Sequence, residues 1–371
     1  MNTVKILHLA DMHIGAAHSF LGANAEKRRF ETLVTFENII NLANQKKADI
    51  IAIAGDLFDS NDIEVTFFNS VLQKIATVPH IKVVYCAGNH DPLNSSSPFQ
   101  NRILPKNLYV LGGEDSVYTF DDIKTRVYGR SFETAHLKGE ETFTLTVPQD
   151  DYINILVQHG ELKNDLNGDY NPITPNFIKQ SGMDYIALGH VHKATHVGKI
   201  ENTHFAYCGC PEGQGFDELD DKGIYFGEIG KGKCDLEFIS VSKRKHIHQK
   251  IDITDVTDIP THVLTVLENT HKNYTENLYK IELVGEIPED ASPNLAELCA
   301  RLSAHLYFVK LKDSTEFKID YQALAGEASL KGVFVKNMLN KIKENPNDNN
   351  LKKALKLGLK AFGGEVKYSE D

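Results

Sequence analysis

The stretch that decides the fold is KILHLADMH at residues 5–13, an apolar run that ends directly in an aspartate and a histidine. Four further short motifs follow apolar runs in the same way. The five motifs, in chain order, are Asp11-Met12-His13, Gly55-Asp56-Leu57-Phe58-Asp59, Gly88-Asn89-His90-Asp91, His159-Gly160-Glu161 and Gly189-His190-Val191-His192. Because α/β enzymes bind ligands at the carboxyl ends of their strands, this pattern predicts one site assembled from five strand ends.

The sequence between the motifs alternates between strands and helices. Strands that lead into a motif are expected at residues 5–11, 49–56, 81–88, 152–159 and 184–190. Helices at 26–47 and 62–77 separate the first three, and three more strands are expected at 204–209, 223–229 and 234–241. Strands that are almost continuously apolar are buried on both faces. The predicted fold class is therefore layered α/β, with two β-sheets packed face to face as a sandwich and flanked by helices.

The chain is expected to divide into three parts, since 371 residues exceed what one compact core usually holds. Residues 1–243 would form the main domain. Residues 244–325 alternate strand, helix, strand, helix and strand, which predicts a small α+β domain. Residues 326–371 predict two helices, about 328–344 and 350–362, with apolar stripes. Such stripes are usually core, but after a complete domain they equally suit the docking of a partner.

The charge distribution argues against a strong, independent DNA binder. A net charge of −11 is unfavourable, because phosphate contacts supply most non-specific affinity for DNA. Acidic metal ligands would inflate the negative count, and bound divalent cations would reverse the local field. Residues 328–362 also carry eight lysines against two acidic residues, and 242–250 form a second basic segment. A DNA substrate is therefore compatible with the composition.

The composition and the first residues predict a cytoplasmic protein. The chain runs straight into an apolar strand without a basic leader, and no apolar run approaches the roughly 20 residues needed to cross a membrane. Five scattered cysteines argue against a disulfide framework, and the close pair Cys208 and Cys210 lacks a second pair to complete a zinc site. We expect reduced thiols.

The side chains of the five motifs suit divalent metal ions. They offer carboxylate, amide and imidazole donors and no thiolate. Two cations about 4 Å apart need a shared carboxylate, and Asp56 is the natural bridge. Asp-x-His and Gly-Asp-x-x-Asp alone are typical of polar loops and turns, whereas Gly-Asn-His-Asp and Gly-His-x-His are moderately specific. Five motifs in this order favour a functional site. The predicted ligands are Asp11, His13, Asp56, Asn89, His159, His190 and His192.

The motif series resembles that of the calcineurin-like metallophosphoesterases. More narrowly, residues 1–240 resemble the bacterial DNA-repair exonucleases of the SbcD type. The segments that carry this resemblance are ILHLADMHIG, IAIAGDLFD, VVYCAGNHD, ILVQHGE and YIALGHVHK. Protein phosphatases of the superfamily usually carry Gly-Asn-His-Glu, whereas this chain has Asp91 at the last position. The small α+β segment resembles the capping domain of the exonucleases in layout only.

The resemblance implies a role for each motif residue. One metal ion would be held by Asp11, His13 and His192, a second by Asn89, His159 and His190, and both by Asp56. His90 would be the catalytic residue at the scissile phosphate, with Asp59 as the candidate to orient it. The resemblance favours two Mn²⁺ ions, while the ligand types are also compatible with Fe, Zn, Co or Mg.

The predicted function is metal-dependent hydrolysis of DNA phosphodiester bonds, by an exonuclease or endonuclease acting in DNA repair. Two divalent ions would lower the pKa of a bridging water and so provide the attacking hydroxide. The resemblance also implies a partner, a coiled-coil ATPase similar to SbcC, docked on residues 328–362, and it allows a homodimer.

Two other functions stay open at this point. A small-molecule phosphodiesterase, acting on a cyclic nucleotide or a nucleotide conjugate, is disfavoured by the additional residues, about 130 in number, after residue 240. A non-catalytic scaffold is disfavoured by the complete ligand set. Two features near the motifs also allow two readings. Glu161 could accept a hydrogen bond from the imidazole of His159 or be a strand-end charge, and residues 207–213 could shape the substrate cleft or be ordinary turns.

Overall fold

The computed structural model describes residues 2–138, 146–219, 221–288 and 293–362. Residues 363–371 of the predicted C-terminal segment lie outside this part of the chain. The helices are α1 Ala25–Gln45, α2 Val65–Ala76, α3 Pro175–Gln180, α4 Ile259–Thr270, α5 Leu295–Ser303, α6 Tyr321–Ala325, α7 Leu330–Glu344 and α8 Asn349–Phe362. The strands are β1 Thr3–Leu9, β2 Ile50–Ala54, β3 Lys82–Cys86, β4 Leu108–Val110, β5 Ser116–Phe120, β6 Thr125–Gly129, β7 Ile153–His159, β8 Tyr185–Gly189, β9 Gly198–Ile200, β10 Thr203–Tyr207, β11 Gly223–Gly230, β12 Lys233–Ser240, β13 His246–Asp252, β14 Leu278–Val284, β15 Glu286–Ile287, β16 Phe308–Asp313 and β17 Glu316–Phe317.

Two six-stranded sheets carry the five motifs. The first has the order β12-β11-β1-β2-β3-β4, and the second has the order β5-β6-β7-β8-β10-β9. Strands β1 to β4 are parallel, as are β6, β7, β8 and β10, while antiparallel strands complete both sheets. The motif-bearing strands β1, β2 and β3 lie in the first sheet, and β7 and β8 lie in the second. Their carboxyl ends therefore meet at one edge of the sandwich.

The sheets pack against each other and against helices on their outer faces. Every residue of β2, β7 and β8 is buried, which explains why their sequences are continuous apolar runs. Side chains such as Ile6 and Ala52 of the first sheet share a core with Ile155 and Ala187 of the second. Helices α1 and α2 cover the first sheet, and α3 covers the second. This helix–sheet–sheet–helix order confirms the predicted fold class.

Short elements at the sheet margins were not predicted from the sequence. Strands β4, β5, β6 and β9 have three to five residues each, and β5 alternates between exposed and partly buried positions. Such strands carry too little apolar periodicity to be recognised without their neighbours. Helices α3 and α6 have six and five residues, which is below the length at which helical periodicity can be recognised.

The residues after the sandwich form a small α+β unit and a helical segment. Strands β13, β14 and β16 make a parallel sheet, with α4 and α5 packed on a core that includes Ile281 and Leu302. Helices α7 and α8 pack around Val335, Leu355 and Leu359. No helix of the described residues is long and apolar enough to span a membrane.

A buried ionic network joins α1 to the small unit and to the loop after β10. Arg244 donates to both carboxylate oxygens of Glu31, at 2.5 and 2.7 Å, and its guanidinium lies 3.4 Å from the ring centre of Tyr307. Arg28, which is fully buried, donates to Glu212 at 2.7 Å. The segment 242–250 is therefore not an open basic patch at its start, because Arg244 is used internally.

We predict that the Arg28–Glu212 pair is a major determinant of stability. Replacing Arg28 by Leu leaves the buried Glu212 carboxylate without its counter-charge, and the free energy of unfolding should fall by about 3–5 kcal/mol in urea titrations. Lys233→Ala is the control, because it removes a solvent-exposed pair with Glu228, which contributes little to stability. Equal losses in the two variants would contradict the prediction, and Arg28→Leu combined with Glu212→Leu should recover part of the loss.

Candidate metal centre

The loops that carry the predicted ligands have an unusual backbone. Asp11, His13, Asp56 and His190 all have positive φ, at 52°, 45°, 49° and 99°. Residues other than glycine adopt positive φ only at a cost in conformational free energy. Folded proteins tolerate this strain mainly at functional sites. Main-chain hydrogen bonds between the loops hold the conformation, since Asp11 N–H donates to Gly55 O and His13 N–H donates to Asp56 O, both at 3.0 Å.

Glycines beside the ligands leave room for neighbouring side chains. A Cβ atom on Gly55 would lie 2.2 Å from Nδ1 of His159, and one on Gly88 would lie 2.2 Å from Oδ1 of Asp56. Gly55 also has a φ of 91°. These positions therefore need glycine because ligand side chains from adjoining strands pack directly over the backbone.

The three residues of the first predicted ligand group lie close together. Donor atoms of Asp11, His13 and His192 all lie within 4.8 Å of one another. The Nε2 atoms of His13 and His192 are 3.2 Å apart. Two imidazole nitrogens at this distance beside a carboxylate are a suitable arrangement for a divalent cation.

The second predicted group lies beside the first. Oδ1 of Asn89 is 3.0 Å from Nε2 of His159 and 3.2 Å from Nδ1 of His190. Oδ2 of Asp56 lies 3.4 Å from Nε2 of His159 and 3.8 Å from Nε2 of His13. Asp56 thus contacts a member of each group, which is the position that a carboxylate shared by two ions requires.

Each of the four imidazoles is fixed by an acceptor on its outer side. The outer nitrogens and their acceptors are His13 Nδ1 with Asp59 at 3.2 Å, His159 Nδ1 with Ala54 O at 2.9 Å, His190 Nε2 with Glu161 at 3.3 Å, and His192 Nδ1 with Glu218 at 2.6 Å. Carboxylates and carbonyls only accept, so each outer nitrogen carries a hydrogen, and each inner nitrogen presents its lone pair when the ring is neutral. The donor set therefore fits a pair of divalent cations. The Ala54 carbonyl and Glu218 were missed, since they belong to none of the five motifs. Glu161 does accept from an imidazole, but from that of His190 and not from that of His159.

The side chains of His90 and Asp59, the two predicted catalytic residues, do not contact each other as predicted. The Asp59 carboxylate accepts from His13, and it is the main-chain carbonyl of Asp59 that accepts from Nδ1 of His90, at 3.0 Å. The predicted contact is thus made by the backbone and not by the carboxylate. The His90 ring is exposed, and Nε2 is the nitrogen left for a substrate.

Asp91 has a structural role that the sequence did not reveal. Its buried carboxylate accepts from the main-chain N–H groups of Gly88, Phe58 and Asp56, at 2.8, 3.0 and 3.2 Å. It therefore ties the loop of Asn89 and His90 to the loop of Asp56. The only signal in the sequence was an acidic residue at the end of the Gly-Asn-His motif.

The buried charges of the centre shift one another's ionisation. Burial by itself would lower the pKa of His159, but the carboxylates of Asp56 and Asp11 outweigh it and raise the pKa to about 9. Burial would raise the pKa of Asp56, but the charge of His159 outweighs it and the pKa falls. For Asp11, burial dominates and raises the pKa. Without cations, the imidazoles and carboxylates therefore compensate one another.

Comparison with known proteins identifies the class. Residues 4–194, more than half of the chain, match the family of calcineurin-like phosphoesterases, and the chain belongs to this family. The family uses dinuclear divalent metal centres, and the donor set described above is such a candidate centre. The protein is therefore a metal-dependent phosphoester hydrolase.

More particular similarities are distant. The uncharacterized metallophosphoesterase YhaO of Bacillus subtilis is 24% identical over 306 residues, which cover 78% of this chain and 74% of YhaO. The DNA double-strand break repair protein Mre11 of Methanopyrus kandleri is 24% identical over 64% of this chain and 57% of its own length. For Mre11 of Aeropyrum pernix the identity is 24%, over 68% of this chain and 64% of that protein. The chain thus matches less than two thirds of either archaeal protein. The crystal structure of TT1561 from Thermus thermophilus aligns with a TM-score of 0.41 and 13% identity, over 64% of this chain and 99% of that one.

We predict that metal binding releases protons. Because its pKa is about 9, His159 holds a proton near neutral pH, and a metal ion must displace it. The apparent affinity for Mn²⁺ should therefore rise about tenfold per pH unit below this pKa and level off above it. Calorimetric titration at about pH 7 and about pH 8, each in two buffers of different ionisation enthalpy, counts the protons. Equal affinity at the two values, with no buffer dependence, would contradict the prediction.

Proposed function

We propose that the protein is a DNA nuclease that hydrolyses phosphodiester bonds at this centre with Mn²⁺ and that it acts in DNA repair in the cytoplasm. The observation that carries the proposal is the position of His90. Its ring lies 4.7 Å from that of His13, and its main-chain N–H donates to Asp56 at 2.9 Å. An exposed imidazole that is not among the predicted ligands thus lies beside the predicted ligand set. The similarity to proteins named for DNA double-strand break repair gives further support.

The geometry assigns separate tasks to the residues of the site. Two bound divalent ions would supply polarisation of the phosphoryl group and activation of a water. Asp56 would hold both sides of the centre together, and Asp59 O fixes the His90 ring through Nδ1. Nε2 of His90 is then free to donate a hydrogen bond or a proton to the oxygen on which charge develops during cleavage.

An aromatic path from the centre to the surface supports a nucleic-acid substrate. The ring of Tyr170 stacks on that of His190, with centroids 4.9 Å apart and planes at 30°. The exposed ring of His136 follows, 5.7 Å from that of Tyr170. Aromatic faces beside a phosphate site suit the stacking of bases, which tolerates any sequence.

Replacement of His90 by Asn tests this function. With Mn²⁺ we expect the wild type to cleave end-labelled single- or double-stranded DNA, and the variant to be about a hundredfold to ten-thousandfold slower. Bound metal should be unchanged, because His90 is not among the predicted ligands. His305→Asn, which alters an exposed histidine of the small unit, is the matched control and should cleave normally.

A generic aryl phosphodiester distinguishes the alternative function. Hydrolysis of this compound by the wild type without cleavage of either DNA form, both alone and with an SbcC-type ATPase added, would contradict the nuclease proposal. It would favour a small-molecule phosphodiesterase, such as an enzyme for cyclic nucleotides. Loss of bound metal in the His90→Asn variant would contradict the role given to His90.

The proposal extends to the parts of the chain beyond the sandwich. Residues 244–325 would act as a capping domain over the substrate, and residues 326–371 would dock a coiled-coil ATPase similar to SbcC. Helices α7 and α8 bury Val335, Leu355 and Leu359 between them, yet Leu330 and Leu357 stay 77% and 59% exposed. Exposed leucines on amphipathic helices are suitable anchors for a partner helix. A homodimer is part of the same proposal.

We predict that the exposed leucines Leu330 and Leu357 contribute to binding of the ATPase partner. Leu330→Asp with Leu357→Asp should weaken binding of an SbcC-type ATPase by at least about tenfold, because a charge would have to enter an apolar interface. Val117→Asp is the control, since Val117 is 43% exposed on the sandwich. Sedimentation or calorimetry measures binding, and thermal unfolding checks the fold. Unchanged binding, or an equal loss in the control, would contradict the docking proposal.

A further inference from the structure

Glu218 lies outside the five motifs but contacts the centre directly. It belongs to the loop that follows β10, and its side chain is only 14% exposed. Oε1 accepts from Nδ1 of His192 at 2.6 Å. This hydrogen is on the outer side of the ring, so the contact leaves Nε2 of His192 facing Asp11 and His13.

The second oxygen of Glu218 is also held. Oε2 accepts from Gln214 N–H at 3.0 Å and from the Cys210 thiol at 3.3 Å, and Nζ of Lys222 lies 3.6 Å away. Both oxygens are thus engaged within the protein, and the carboxylate has a fixed orientation. A fixed carboxylate can orient the imidazole that it bonds.

The same loop also holds the backbone of His192. Its carbonyl accepts from Nζ of Lys222 at 2.9 Å and from Cys210 N–H at 3.3 Å. Glu218 therefore fixes the ring of His192, and two residues that contact Glu218 fix its main chain. The segment 207–213, for which the sequence allowed two readings, thus lies beside the centre and supports a ligand.

Two of the other imidazoles, those of His13 and His190, have more exposed carboxylates as outer partners. The Asp59 carboxylate is 38% exposed and 3.2 Å from His13. The Glu161 carboxylate is 27% exposed and 3.3 Å from His190, and it also pairs with Lys163 at 3.0 Å. Among the carboxylates that contact these rings, Glu218 is therefore the most buried and makes the shortest contact.

We propose that Glu218 is a positioning residue that fixes the tautomer and orientation of His192 and thereby sets the affinity of the Asp11–His13–His192 group for its divalent cation. An amide at position 218 could turn its NH₂ toward Nδ1, and the ring hydrogen would then move to Nε2, where a metal ligand needs a lone pair. The proposal rests on the metal centre and is independent of the substrate.

Glu218→Gln is the principal variant, and Asp217→Asn is its matched control. Asp217 is the preceding residue and is exposed, so the control removes the same charge from the same loop. Wild type and control should each bind Mn²⁺ at two sites, whereas Glu218→Gln should bind one of the two ions about 10- to 100-fold more weakly. The visible spectrum of the Co²⁺-substituted protein should change only in Glu218→Gln.

A double variant separates positioning from general damage to the loop. His192→Ala should weaken the same ion, and adding Glu218→Gln to it should cause no further loss, because Glu218 acts through His192. Glu218→Asp should restore part of the affinity and serves as the variant to measure if Glu218→Gln does not fold. Unchanged Mn²⁺ affinity and Co²⁺ spectrum, or fully additive losses, would overturn the proposal. Failure to cleave DNA would not affect these binding measurements, so the two proposals fail separately.

Discussion

The contact between the two sheets at the Ala54 carbonyl is the constraint on which the centre depends. This oxygen ends β2 in the first sheet and accepts from Nδ1 of His159, which ends β7 in the second. A Cβ atom on Gly189, at the end of β8, would lie 1.8 Å from the same oxygen. The sheets therefore approach so closely that a backbone carbonyl of one orients a ligand of the other. Ligands from both sheets reach one centre because of this approach.

Placing acidic groups at such a contact is costly for the fold. Asp11, Asp56 and Asp91 are each at most 2% exposed, and three buried carboxylates repel one another unless each is compensated. Asp91 is compensated by main-chain N–H groups, while Asp56 and Asp11 face imidazoles whose ionisation they shift. The positive φ angles of the ligand loops add local strain that the surrounding hydrogen bonds must outweigh. A site built in this way is stabilised by cations, because they neutralise the carboxylates and leave the imidazoles uncharged.

The motif-bearing strands and the seven candidate ligands could be predicted because parallel strands bring their carboxyl ends to one edge. The position of a motif that follows an apolar run, at this edge of the sheet, can therefore be predicted before any side-chain contact is known. The hydrogen-bond partners of those ligands could not be predicted in the same way. Glu218 is 26 residues from His192, and only the path of the loop after β10 brings them together. The Asp59 carboxylate was expected beside His90 and instead contacts His13, a distinction of a few ångströms within one loop that residue types do not encode.

The charge of the chain bears on the proposed DNA substrate. Residues 328–362 hold the main excess of lysine, but part of that charge is used within the molecule. Lys356 pairs with Glu286 at 2.8 Å and Lys360 pairs with Glu316 at 2.9 Å, which attaches α8 to the small unit. Arg244, in the other basic segment, is paired with Glu31 in the core. Lysines paired in this way contribute less to phosphate binding, because a neutralised cation releases fewer counterions from DNA. With a net charge of −11, a long-range attraction for DNA would have to come from another chain, while the metal centre acts only on the phosphate that reaches it.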